Sequence, residues 1–75
     1  MTTETEIKSA IASSSATNTI VRLSAVSPRA ALEAIDNDEN VTELDWTDAD
    51  VAGEKVLDVW GKRLGSEFRL YITKA

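Results

Sequence analysis

Asp36, Asp38 and Asn40 stand at the spacing D-x-D-x-N that opens a calcium-binding helix–loop–helix. The match ends there. The sixth loop position, where glycine permits a sharp turn, is Val41; the twelfth, where glutamate supplies two oxygens, is Thr47. No metal site is expected here, only a polar connection. A second chemistry to weigh is acid–base catalysis. The 75 residues include no His and no Cys, so neither a Ser-His-Asp nor a Cys-His arrangement can be assembled. The three glycines are isolated and form no phosphate-cradling loop. Paired carboxylates, or Lys or Tyr as base, are what remains. Asp45 and Asp58 can approach each other from neighbouring strands, yet shifted carboxylate pKa values need a walled pocket, which a small one-sided sheet rarely builds. The expectation is a protein that is not an enzyme and takes no cofactor.

The calcium-like triplet belongs to a longer run, DNDENVTELDWTDAD, with seven carboxylates and no base between Asp36 and Asp50. From Glu33 to Asp58 there are ten acids and one base, Lys55, for a net −9; the rest of the chain carries +4 and the total is −5. Such a middle repels a phosphate backbone and attracts a basic surface. Direct nucleic-acid binding is therefore not expected. The four tail bases Lys62, Arg63, Arg69 and Lys74 are too scattered to reverse that. The N-terminal MTTETEIK is acidic where a targeting segment is basic, and no run approaches the roughly 20 apolar residues of a membrane span. A cytoplasmic protein with no membrane contact is expected.

The elements that must position these residues can be read from periodicity. Thr3 to Ser13 is a short helix, with Thr3 and Glu6 as its capping box and Ile7, Ala10 and Ile11 on one face. SSSATN, Ser13 to Asn18, reads as a connector. Thr19–Ala25 alternates as a strand. Ser27 and Pro28 then start a second helix that buries Ala31, Leu32 and Ile35 and ends at a left-handed Asn37. In the strand Asn40–Thr47, Thr42, Leu44 and Trp46 share one face and Val41, Glu43 and Asp45 the other. DADVAG turns the chain at Gly53. Lys55–Gly61 and Glu67–Thr73 form a hairpin across KRLGS.

An even residue count in that connection pairs Val59 with Phe68 and Leu57 with Leu70 inside, and Asp58 with Arg69 and Val56 with Tyr71 outside. The order helix, strand, helix, strand, strand, strand predicts a single α+β domain over residues 1–75. It is a two-layer sandwich with both helices on one face of a four-stranded, largely antiparallel sheet. The expected core is Ile7, Ile11, Val21, Leu23, Leu32, Ile35, Leu44, Trp46, Leu57, Val59, Phe68, Leu70 and Ile72. The second face, with Glu43, Asp45, Val56, Asp58, Trp60, Arg69 and Tyr71, is expected to be open to water.

On that face the sequence predicts a partner-binding site. Glu43, Asp45, Asp48, Asp50 and Asp58 supply charge, Trp60 and Tyr71 the apolar anchors, and Arg69 a flanking base. The expected function is a small acidic binding protein that occludes or adapts a basic, nucleic-acid-handling protein. Compact phage- or plasmid-encoded inhibitors that imitate duplex charge are the class-level analogy. A homo-oligomeric assembly subunit, such as a homodimer, is the alternative. A small carboxylate-dependent or metal-binding protein is the third reading.

Overall fold

The computed structural model describes residues 4–75. The capping box at Thr3 lies outside them. Six elements follow in the expected order: α1 (Glu4–Thr17), β1 (Ile20–Ala25), α2 (Pro28–Asp36), β2 (Val41–Val51), β3 (Glu54–Arg63) and β4 (Ser66–Lys74). The strands lie in the order β1-β4-β3-β2, with β1 parallel to β4 and the other two pairings antiparallel. This is the α+β sandwich. The strands with the most buried residues, β3 and β4, are central, and α2 carries the chain from one sheet edge to the other.

Both helices pack on one face. Ile7, Ala10 and Ile11 of α1 and Ala31, Leu32 and Ile35 of α2 meet Leu23, Leu57, Val59, Phe68, Leu70 and Ile72. Val21, Leu44 and Trp46 complete the expected core as partly buried members. Ser27 caps α2 by accepting a hydrogen bond from the Ala30 N–H, with Pro28 following it. Asn37 ends α2 in a right-handed conformation, φ −81°, instead of the left-handed one expected; the left-handed asparagine is Asn18, φ 53°, which ends α1.

The serine run is helix, not connector. Its residues are poor helix formers, but tertiary hydrogen bonds hold them there. Ser14 is buried and donates to the Thr19 carbonyl at 2.6 Å, with the Arg69 carbonyl at 3.0 Å; it also accepts from the Arg69 N–H at 2.9 Å. Ser15 donates to the Glu67 carbonyl. Ser14 thus serves backbone groups of β4 just where the parallel pairing with β1 begins, at Ile20 opposite Arg69.

Two further expectations shift. In the last hairpin the faces are as predicted but the partners move by two residues: Val59 pairs with Leu70, Leu57 with Ile72, Asp58 with Tyr71 and Trp60 with Arg69. The strands run on through Lys62 and Arg63, leaving a two-residue turn, Leu64-Gly65, with both φ values positive. In β2 a bulge places Glu43 and Leu44 together opposite Gly61. The inserted residue reverses the alternation upstream of it. Val41, not Thr42, therefore packs on the core beside Leu44 and Trp46, and Thr42 is exposed. Gly61 suits that position, because a Cβ would come within 3.2 Å of the Leu44 Cα and the Thr42 carbonyl oxygen, closer than ordinary contact.

Ser14→Ala is expected to lower stability by about 1–2 kcal/mol, since it strands the Arg69 N–H and the Thr19 carbonyl. Ser15→Ala, which removes an exposed bond, should cost about 0.5 kcal/mol or less. Urea unfolding midpoints check the contrast.

Candidate functional site

The face of the sheet turned away from the helices holds Asp45, Thr47, Val56, Asp58, Trp60, Lys62, Glu67, Arg69, Tyr71 and Thr73, by the registers of the three strands that carry them. It is not uniformly wet, as expected, but divides into two regions. At one end Val56, Asp58 and Thr73 are buried without any helix above them, at 4%, 6% and 6% exposure. Side chains of the face itself shield them. Arg22 of β1 reaches over β4 to Glu54 at the start of β3, at 3.1 Å. Ser24 and Thr73 lie in hydrogen-bond contact at 3.2 Å. The Arg69 guanidinium grips both oxygens of Asp58, at 2.9 and 2.6 Å.

That bidentate pair is unequal. The Asp58 side chain is 9% exposed and the Arg69 side chain 48%. The Asp58 hydrogen bonds push the Arg69 pKa upward, so the guanidinium stays charged throughout the accessible pH range. Arg69 also lies against the Tyr71 ring, 5.8 Å from its centre.

At the other end the face opens into a broad depression of about 1030 Å³. Trp60 forms one wall, half-buried, and Thr19 and the exposed Ile20 contribute from the start of β1. Lys62 leans away toward Glu43 of the bulge, at 3.1 Å, and that carboxylate raises the lysine pKa. Trp46 is the other indole and sits on the helix side, with the Arg29 guanidinium of α2 4.7 Å from its ring centre.

Of the predicted site residues, Asp45, Asp58, Trp60, Arg69 and Tyr71 come together on the helix-free face, and Glu43 joins them at the edge of the depression. Asp48 and Asp50 do not. They follow Trp46 on the opposite side of β2, exposed, with Asp50 opposite Lys55. Asp45 is opposite Trp60 and Asp58 opposite Thr47, so the two aspartates are not a facing pair, and both Asp58 oxygens are committed to Arg69. Reading the sequence missed Glu67 and Ile20, which line the same depression. The shift of the hairpin register by two residues is what sets Glu67 opposite Lys62.

The carboxylates of the helix-to-strand connection have structural work. Asp38 accepts from Arg63 at 2.9 Å and from the Asn40 N–H at 2.9 Å, tying the loop to the end of β3. The Arg63 hydrogen bond, then that of Asn40, holds the Asp38 carboxyl below its ordinary value of 3.8. Among the described residues no group of three or more acids is placed to hold a metal ion, and no helix is long and apolar enough to cross a membrane. Compared with protein-family models, with curated proteins and with solved structures, the chain matches none.

Removing Arg69 leaves Asp58 charged and enclosed. Arg69→Ala is expected to cost about 2 kcal/mol, less than a fully dry pair because water reaches the guanidinium. The double variant Asp58→Ala with Arg69→Ala should recover part of that loss, as a double-mutant cycle in urea will read. A second outcome concerns pH. Because folding depresses the Asp38 pKa, its contribution is present above about pH 4 and lost as pH falls through the folded value. The stability difference between the native chain and Asp38→Asn should therefore be present at neutral pH and shrink toward zero in acid.

Proposed function

We propose that this chain is a non-catalytic, acidic binding protein that occludes or adapts a basic protein partner, docking through the helix-free face of its sheet. The observation that carries this reading is the position of Trp60: a large indole, half-buried and facing an open depression, on a face that no helix of the described residues covers. Trp and Tyr are the residue types that anchor interfaces, because they bring large area at small entropic cost. The acidic edge strand β2 borders this face with Glu43 and Asp45, and the overall charge of −5 favours encounter with a basic surface. A nucleic-acid-binding protein is the partner class that such charge suits, with occlusion of its basic surface as the mode of action.

A second reading, self-association, is favoured by the other sheet edge. β1 contains no carboxylate, and Ile20 and the adjoining Val26 are 42% and 62% exposed. An edge without carboxylates and with apolar flanks is what strand-to-strand pairing between copies uses.

Affinity capture from the native host separates these readings. A basic protein is expected to be retained at low salt and released above roughly 0.5 M, where charges are screened within a few ångströms. Trp60→Leu should abolish its recovery and Asp45→Asn should weaken it more than the Asp48→Asn, Asp50→Asn double variant. Equal recovery of that protein by the Trp60 variant would overturn the docking face. Sedimentation of the pure chain as a monomer at tens of micromolar would remove the self-association reading.

A further inference from the structure

We infer that the depression beside Trp60 is a seat for an arginine side chain of the partner, and that it distinguishes guanidinium from ammonium. This rests on the docking reading above and specifies the chemistry of its anchor. Three features of the helix-free face lead there.

The first is which charges are already spent. Each base on this face has a carboxylate partner: Arg22 with Glu54, Lys62 with Glu43, Arg69 with Asp58. The Asp58 pair draws Arg69 along β4 toward Tyr71, and the Glu43 pair draws Lys62 toward the bulge. Two exposed carboxylates near Trp60 make no salt bridge among the described residues, although one Asp45 oxygen accepts from the Trp46 N–H at 2.8 Å. Asp45 is directly opposite Trp60 on β2. Glu67 lines the depression on β4, and the base opposite it, Lys62, is committed to Glu43. The charged lining of the depression, three acids (Glu43, Asp58, Glu67) against two bases (Lys62, Arg69), is left with one acid in excess, and Asp45 adds a second beside the indole.

The second feature is the indole. A cation over the face of Trp is held by the ring quadrupole, and a planar guanidinium also stacks on it. The fold already uses this contact once, where Arg29 lies over Trp46 on the helix side. Trp60 has no such contact among the described residues, and its exposed side faces the depression.

The third is shape. Gly61, next to Trp60 in β3, borders the depression where the bulge of β2 leaves little room for a side chain. Ile20 and Thr19 form the far wall. An arginine stem can enter past Ile20 and over the stem of Arg69, whose head is held at Asp58, so that its own planar head stacks on the indole and donates to Glu67 or Asp45. A lysine would satisfy one carboxylate as a point charge but would forgo the stacking and the forked hydrogen bonds.

The test uses two small probes, N-acetyl-Gly-Arg-Gly-amide and its lysine counterpart, titrated into the ¹⁵N-labelled full chain at low salt. The Trp60 indole N–H resonance is expected to shift saturably with the arginine probe, at an affinity at least about threefold above that for the lysine probe, while the Trp46 indole stays still. Trp60→Leu keeps apolar bulk but removes the ring, and should erase the arginine preference. Glu67→Gln and Asp45→Asn should each weaken arginine binding severalfold with the amide spectrum otherwise intact. Equal response to the two probes, shifts centred on the Asp48 and Asp50 end of β2, or no saturable shift at millimolar probe would each overturn the arginine seat. Loss of the seat leaves the docking face standing if the captured partner still requires Trp60. Conversely, a partner indifferent to Trp60 while the arginine probe binds would mark the seat as real and the docking reading as wrong.

Discussion

Among the described residues, two short helices are all the cover for a four-stranded sheet, and they can cover only one side. The aliphatic residues of β3 and β4 accordingly alternate, with Leu57, Val59, Phe68, Leu70 and Ile72 turned toward the helices and almost no aliphatic side chain left for the reverse. A sheet of this area would ordinarily leave that reverse side fully wet. Here ion pairs laid across the strands replace the missing layer over half of it. Arg22 with Glu54 bridges β1 to β3 across β4, and Arg69 with Asp58 closes over the middle. Their aliphatic stems, as well as their charges, exclude water from Val56 and Thr73. The bracing stops short of Trp60. The division of the face into a shielded end and an open end follows from where those pairs run out.

The same constraint explains much of the acidic run. β2 is an edge strand of eleven residues, long enough to invite pairing with another chain. Carboxylates at Glu43, Asp45, Asp48 and Asp50 project from both of its sides, so two copies brought edge to edge would set like charges together. The bulge at Glu43 and Leu44 breaks the ladder further and bends the strand. Glu43 adopts a left-handed φ of 55°, an unfavourable conformation for a residue with a Cβ, and its carboxylate is returned by that bend to Lys62. Asp38, by contrast, is a fastening: it orders the turn before β2 and locks it to Arg63. Within one run, then, the acids divide between holding the loop, guarding the edge and, at Glu43, bordering the open depression.

Element types and order were legible because each carries a local signature. Ser27-Pro28 starts α2 by chemistry that needs no tertiary context, and the alternation of Leu57–Val59 and Phe68–Leu70–Ile72 assigns their face whatever the exact register. What escaped the sequence depends on contacts between distant residues. The serine run is helical because Ser14 and Ser15 bond to β4, more than fifty positions away. The hairpin slides two residues because Leu64-Gly65 accepts positive φ at both positions and lets the strands extend through Arg63. A shift of two keeps every side chain on its face, which is why the core survived the error while the partners changed. The bulge in β2 had no local mark except Gly61, a lone glycine in a neighbouring strand. The candidate site was readable to the same depth: Trp60, Tyr71 and Asp45 from alternation, but not Glu67 or the separation of Asp48 and Asp50, which require the observed pairings.

A face built this way assigns different roles to its charges. Carboxylates already gripped by Arg69, Arg22 and Lys62 are costly to recruit, because a partner must first break the existing pair and expose what it shields. They act as fixed scaffolding that holds Tyr71 and the stem of Arg69 in place before any encounter. In the proposed docking the exposed acids of β2 would act at longer range, raising the frequency of encounter with a basic surface and losing that influence as salt is added. Lasting contact has to come from groups that bury area, and on this face the largest of those at the open end is Trp60. In the proposed docking, attraction and retention would therefore be separate, with the edge strand serving the first and the unbraced end of the sheet the second.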